Sequence, residues 1–451
     1  MTKSPWTRRH FLTSTSLAAA SAAAGTSLSQ PAPVRAADGA SDAERSVDVL
    51  VCGGGPAGMA AAVLAARGGA KVLLVERYGR LGGMAVHARV APLMGHSASP
   101  FVREVLDRIG GVRFDPDRLD LQYAELAEEA GAELLLHAWA CQTLLDGNRV
   151  AGARFVSKQG MLNVRAKVTV DATGDGDVAF GAGAEYEQGR EGDGLLQPMS
   201  IMYTVAGLDD ARAIYCGSEE QAQKLLIEGR SWEAIVQSAQ QAGQLPGNVG
   251  VVRTYRTSRP GEAAINATQI NYVDGTKVHD LTKAELEGRR QAFQILDFLR
   301  KHAPGYENAY IAGMPAVVGV RETRRILGRD YLTRDDLIAG RRRDDAVVRA
   351  ASFVIDIHNP DGAGQAQGLA ERVKPYDIPY GCLVPKTVDG LLVAGRCISG
   401  SHEAHASYRV QQIAMALGSA AGAAAALATQ SNTLPRDVDV TQVQTALALP
   451  S

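Results

Sequence analysis

Residues 46–76 carry the feature that most constrains the fold: an apolar run, a glycine-rich turn, a stretch of small apolar residues, a second apolar run and a carboxylate, in that order. Residues 47–51 are rich in valine, as expected of a parallel strand covered on both faces. Gly53, Gly55 and Gly58 follow in G-x-G-x-x-G spacing. The first permits a tight turn, the second lets backbone N–H groups approach a pyrophosphate, and the third lets a helix lie close on the sheet. Pro56 and Ala57 open that helix, which continues to residue 67 and stops at Gly68-Gly69. Residues 71–75 return as a second strand. Glu76, 18 residues after Gly58, stands where a carboxylate accepts hydrogen bonds from ribose hydroxyls. A glycine turn alone is a common loop feature, but with strand, helix, strand and acid all in place it points to a dinucleotide.

The chain has 451 residues, 46% of them hydrophobic, enough for a large core and two or more domains. A net charge of −2 offers no general attraction to nucleic acid. The first forty residues read as a leader and not as fold. Arg8-Arg9 in Thr7-Arg-Arg-His-Phe-Leu12 resembles the twin-arginine export consensus, residues 12–28 are weakly apolar, and Val34-Arg-Ala36 offers small residues for cleavage. The alternative is an unstructured tail with a chance arginine pair. A permanent membrane span is not expected, because the stretch barely reaches the ~18-residue minimum and is rich in hydroxyls. The expected location is the periplasm, where disulfides can form. The five cysteines, Cys52, Cys141, Cys216, Cys382 and Cys397, are an odd number without C-x-x-C spacing, so haem, an iron–sulfur cluster and structural zinc are not expected.

NAD and FAD fit the first glycine turn equally well, and three later segments decide between them. Arg77 follows Glu76, and Gly82-Gly83-Met84 let backbone pass close to phosphates and flavin. Residues 168–177 read as a strand ending in Ala172-Thr173-Gly174, followed by Asp175. Residues 391–396 form a late strand ending in Gly395-Arg396, before a small-residue helix from Gln411 that includes Gln412 and Ala416. Such a helix can aim its positive N-terminus at the flavin pyrimidine, where negative charge develops on reduction.

With residues 171–180, 197–199, 280–290, 319–328, 332–342, 356–362 and 378–410 added, residues 47–430 resemble the FAD-dependent oxidoreductase family related to fumarate reductase and glutathione reductase flavoproteins. The resemblance implies FAD and an α/β fold: a Rossmann-like FAD-binding domain of glutathione reductase type with an inserted α+β substrate or cap domain. The expected divisions are a signal peptide at 1–36, FAD-binding parts at 41–200 and 376–430, the cap at 201–375 and a tail at 431–451. Within the cap, residues 200–205 and 266–272 read as strands, 219–241 as one polar helical stretch, and 281–301 as a long helix ended by Pro304-Gly305. The charge run Arg341-Arg-Arg-Asp-Asp345 reads as a solvated turn.

Flavin carries the redox chemistry, so the protein need only orient a substrate, move a proton and stabilise charge. His402 and His405, read as lying on a loop near the isoalloxazine, are candidates for proton relay, with structural hydrogen bonding as the alternative; their spacing is not that of a zinc helix. Arg321 and Arg324 are candidates for a carboxylate clamp or proton donor, against ion pairing with Glu322 or Asp330. His358 and Tyr380, with Tyr376, complete the candidates, and His87 and His96 are the histidines that could carry a covalent flavin. No second strand-borne G-x-G-x-x-G is present for a nicotinamide. The expected reaction is therefore removal of a hydride from a small organic substrate, with electrons passing to oxygen, a quinone or a cytochrome. The alternatives are reduction of an alkene and a non-catalytic FAD-binding assembly protein.

Overall fold

The computed structural model describes residues 43–366 and 370–449, and the expected leader lies outside them. The 46–76 segment folds as β1 (Ala43–Cys52), α1 (Pro56–Arg67) and β2 (Val72–Val75), with β1 and β2 parallel. Beyond them β3 (Glu133–Leu135) extends one edge, parallel to β2. On the other side of β1 lies β6 (Gly160–Asp171), again parallel. The far edge of β6 is shared. Its first half pairs antiparallel with β5 (Arg149–Ser157), itself paired to β4 (Trp139–Asp146), and its last residues pair parallel with Leu391–Val393. A strand from late in the chain thus completes the early sheet.

The ends of β1 and β6 are set by side-chain chemistry. Gly53 follows β1 at φ +105°, a conformation that L side chains avoid, and a Cβ there would lie 2.5 Å from the carbonyl oxygen of Ala172. Helix α1 begins with Pro56 in its first turn, where the missing N–H has no intrahelical partner to lose. It packs against helix Gln411–Ser431 at backbone distance: a Cβ on Gly418 would sit 1.9 Å from Ala57 O, and one on Gly422 2.2 Å from Ala61 O. These glycines, four residues apart, share a helix face, and their lack of side chains lets the two helices cross close together. Among the described residues Gln411–Ser431 is long and apolar enough to cross a membrane, yet it is buried inside the protein.

A second, antiparallel sheet has the order Arg253–Arg256, Glu262–Asn266, Met202–Ala206, Tyr310–Gly313. Its two faces follow the period of a strand. Tyr203, Val205, Ala263 and Ile265 join a core with the long helix Val278–His302, where Tyr203 Oη donates to Ala292 O at 3.0 Å. Met202, Thr204, Ala264 and Asn266 occupy the opposite face.

Several expectations need correction. The stretch 219–241 is two helices, Glu219–Lys224 and Trp232–Gln241, separated by a two-stranded turn at Leu226–Ile227 and Arg230–Ser231. Polar helical composition hid the glycine at 229, whose φ of +81° makes that turn. The expected strand at 266–272 ends at Asn266. The second core draws on residues from Met199 to Val318, whereas Ile326, Leu337, Val347 and Ile355, expected within the cap, pack in the first core. Val443 and Leu447, expected in a tail, also join the first core. The charge run at 341–345 is, as expected, an exposed turn, with Arg343 paired to Asp345 at 2.9 Å and Arg342 to Asp377 at 3.0 Å.

Candidate functional site

A continuous cavity of about 210 Å³ is walled by both sheets. It is more than ten times the ~15 Å³ that admits one water, so it is sized for an organic ligand. On the first sheet's side it is lined by Gly53, Gly55, Glu76, Arg77 and Trp139, and on the second sheet's side by Met202, Asn266, Arg321, His358 and Arg409.

The glycine turn is wound tightly against its neighbours. A Cβ at Gly58 would lie 1.8 Å from Gly53 O, so the helix can begin there only without a side chain. Gly55 has open space before it, its nearest neighbour being Gly83 Cα at 3.7 Å. Glu76 is 5% exposed. One carboxylate oxygen accepts from Gly54 N at 2.6 Å and the other from Tyr78 N at 2.9 Å, which leaves each with a lone pair for a hydroxyl. The Arg77 guanidinium stacks over Tyr78 and Trp139, 4.8 and 5.3 Å from their ring centres. It makes no hydrogen bond or ion pair among the described residues, so its donors remain free for a ligand.

After β6 the chain is wound by a buried acid. Asp171 accepts from Thr173 N, Thr173 Oγ1 and Ala179 N at 3.1, 2.7 and 2.8 Å, and burial raises its pKa against the pull of those bonds. Arg396 ties this turn to the second sheet's side, donating to Gly174 O at 2.9 Å, Val320 O at 2.6 Å and Asp175 at 2.5 Å. The N-terminus of Gln411–Ser431 reaches the cavity through Val410 and Gln411. Val410 gives it no side-chain cap, and of its first N–H groups that of Gln412 donates to Met94 O at 3.2 Å.

The second-sheet side is dense in charge. Asp356 is met by His358 Nε2 and Arg409 Nη2, both at 3.4 Å. Burial and the charge of Arg321 push His358 down to about 3, while His358 and Arg409 hold Asp356 well below the usual carboxylate range in spite of its burial. His358 is therefore neutral and Asp356 ionised at neutral pH. Arg321 is 9% exposed and donates to Pro198 O at 2.6 Å. It has no carboxylate partner among the described residues. Burial and the neighbouring Arg409 pull it down to about 9, still protonated at neutral pH.

Of the residues expected to hold the cofactor, Gly53, Gly55, Pro56, Ala57, Glu76, Arg77, Gly83, Met84, Ala172, Thr173, Gly174, Asp175, Gly395 and Arg396 line the cavity. Gly58, Gly82, Gln412 and Ala416 lie behind that wall. Gln412 donates to Leu93 O at 2.9 Å and pins the segment that covers the helix N-terminus. Of the expected catalytic residues, Arg321 and His358 line the cavity. His402 and His405, expected on a loop, lie in helix His402–Tyr408, capped by Ser401, and face inward. His402 Nδ1 meets Glu322 at 2.9 Å, and Glu322 also binds Arg325. Small residues on both sides masked this helix in the sequence. Arg324 turns away to bond Asp175 O and Asp177, both at 3.0 Å, and Tyr380 donates to Pro435 O at 2.8 Å. His87, its ring tilted by 52° against Tyr78, and His96 do not line the cavity. Asp356, Arg409, Met202 and Asn266 were not singled out in the sequence; the alternation in 202–206 and the two-residue step from Asp356 to His358 were the available signals.

The site's residues fit FAD. A cradle that Cβ atoms would fill, an acid with free lone pairs, an unpartnered guanidinium and a helix N-terminus without a side-chain cap together suit an adenine dinucleotide with an electron-accepting ring. Fold and site thus define an α/β flavoprotein oxidoreductase. The chain belongs to the family described as FAD dependent oxidoreductase, whose profile matches residues 48–447. It is similar to digeranylgeranylglycerophospholipid reductase 1 of Methanopyrus kandleri, 33% identical over 147 residues, 28% of this chain and 39% of that protein. It is also similar to sarcosine oxidase subunit alpha of a Corynebacterium, 32% identical over 126 residues, 28% of this chain and 12% of that one. The chain thus matches about two-fifths of the length of the first of these and far less of the second. Among solved structures, a geranylgeranyl bacteriochlorophyll reductase-like protein of Thermoplasma acidophilum is 17% identical, with a TM-score of 0.49 over 90% of this chain and 83% of that one.

Proposed function

We propose that this chain reduces a carbon–carbon double bond in an organic substrate held between the flavin and the Met202–Asn266 face of the second sheet. FAD, when bound, supplies hydride-transfer chemistry. The observation that carries the direction is the charge state of the second-sheet wall: fixed positive charge at Arg321 and Arg409, and no group there that is basic near neutral pH. Removing a hydride from an alcohol or amine, the direction first expected from the sequence, needs a base to take the remaining proton. His358 is too weak a base, and Asp356 is held ionised by its cationic neighbours. Asp177, raised to about 6 by burial and by the neighbouring Asp175 and Asp171, also lines the cavity, but on the first sheet's side, where Arg324 holds its carboxylate at 3.0 Å. Saturating a double bond instead needs a hydride at one carbon and a proton at the other. Arg321 Nη holds a proton that burial makes easier to lose, and the apolar side chains of Val90, Met94 and Met202 line the same space. The reductase names of several relatives agree with this reading. The β3-β2-β1-β6 order completed by Leu391–Val393 supports placing the nucleotide domain with the glutathione reductase type.

The test is a two-way anaerobic panel. Dithionite-reduced holoenzyme should be reoxidised by an unsaturated lipid or an α,β-unsaturated acid, while alcohols and amines leave the oxidised flavin band at about 450 nm unchanged. Bleaching of oxidised flavin by alcohols or amines, with no alkene able to reoxidise the reduced form, would sink the proposal.

We also propose that Arg8-Arg9 directs export to the periplasm, on the strength of the residues that follow the pair. Replacing both by lysine should leave unprocessed protein in the cytoplasm. Unchanged export would refute it.

A further inference from the structure

A second crevice opens on the cavity face of the second sheet, lined by Arg89, Arg113, Arg256, Arg259, Thr204 and Ala264, together with Asp115 and Glu262. Its position follows from strand register. Met202 pairs with Asn266, and Thr204 with Ala264. Residues two apart on a strand share a face and lie ~7 Å apart. Met202 and Asn266 floor the flavin-side cavity, and Thr204 and Ala264 floor the crevice. Val90 lines the first space, and its neighbours Arg89 and Ala91 line the second. The crevice is thus the next step along one continuous floor.

Its charge is unbalanced. Both lining carboxylates are engaged by Arg259: Asp115 closely, and Glu262 at 3.9 Å. Arg256 has Asp210 at 3.8 Å and stacks on Tyr215. Arg89 and Arg113 have no carboxylate partner among the described residues. Arg89 reaches only the Thr204 hydroxyl, at 3.2 and 3.3 Å, and Arg113 is exposed. Two further features fix the position of Arg89. Its backbone has φ +53°, a strained conformation for a residue other than glycine. Its guanidinium lies over Gly313, where a Cβ would come within 2.9 Å of Arg89 Cζ.

We propose that this crevice binds the anionic group, carboxylate or phosphate, of the substrate whose unsaturated part lies in the flavin-side cavity. Planar guanidinium groups bind both oxyanions through paired hydrogen bonds, and the hydroxyl of Thr204 lies beside them. The inference rests on the double-bond reading above for the role of the neighbouring cavity, while its own test reads binding.

Holoenzyme is titrated calorimetrically with inorganic phosphate and with acetate, and then with decyl phosphate and decanoate while the flavin absorption is followed. At least one small anion should bind saturably, and the stronger of the two names the chemical source. Arg113→Ala and Arg89→Ala should each weaken that binding about tenfold with unchanged flavin content. The matching decyl compound should bind more tightly than the small anion and shift the flavin band, because its chain runs along the floor into the cavity. The proposal is overturned if neither small anion binds, if binding ignores both arginines, or if the decyl compounds leave the flavin band unmoved. These signals do not depend on the direction of electron flow, so failure of the double-bond reading would appear in the redox panel instead.

Discussion

At the scale of single residues, burial sets the charge state of His358 more than sequence neighbours do. His358 has an ordinary value of 6.5 when unfolded and about 3 when folded, so between these values the unfolded chain binds a proton that the folded one refuses. Its folded form is then unpenalised above pH 6.5 and loses stability as pH falls towards 3, by about 1.4 kcal/mol per pH unit. Other buried groups titrate in the same window, and Asp177, raised to about 6, works in the opposite sense. The comparison that isolates His358 is urea unfolding of wild type and His358→Asn at pH 7 and pH 5. The stability difference between the two proteins should move in favour of the variant on acidification. A difference that stays constant would mean that His358 is not buried in its neutral form. Sequence identified His358 and Arg321 as candidates but could not say that the imidazole is neutral, because that depends on Asp356, Arg409 and Arg321 meeting in space.

At the scale of elements, the glycine turn, α1 and the helix Gln411–Ser431 behave as one unit. The turn was legible because each of its glycines answers a local demand, a turn or a close approach, that sequence spacing displays. The crossing of the two helices was less so, since Gly418 and Gly422 sit among alanines and serve a contact about 360 residues away in sequence. Gly418→Leu should cost about 1–3 kcal/mol through overpacking against Ala57. It should also loosen FAD, because Ala57 opens the helix at the cofactor turn. Thermal unfolding and retained flavin after gel filtration check both, and a variant with normal melting and full flavin would contradict the close crossing. The helix at His402–Tyr408 shows the opposite limit: its two histidines looked catalytic by composition, but His402 meets Glu322, which comes from a distant segment, and His405 is buried edge-on to Tyr408.

At the scale of the whole molecule, two sheets meet across a cavity, and each contributes a different half of the function. The first sheet's half was readable, since strand, glycine turn and acid are contiguous in the chain. The second sheet's half was legible only at Arg321 and His358, because Met202, Asn266, Asp356 and Arg409 are scattered over some two hundred residues and share only a face or a wall. On the proposed reading, that wall, with its cations Arg321 and Arg409 and its neutral His358, favours reduction over oxidation. The most direct measurement is anaerobic stopped-flow reoxidation of dithionite-reduced holoenzyme by an unsaturated acceptor, comparing wild type with Arg321→Met at equal flavin content. Reoxidation by wild type, slowed roughly 100-fold in the variant, is the predicted result. Equal rates in the two proteins, or no reoxidation by any alkene, would contradict it.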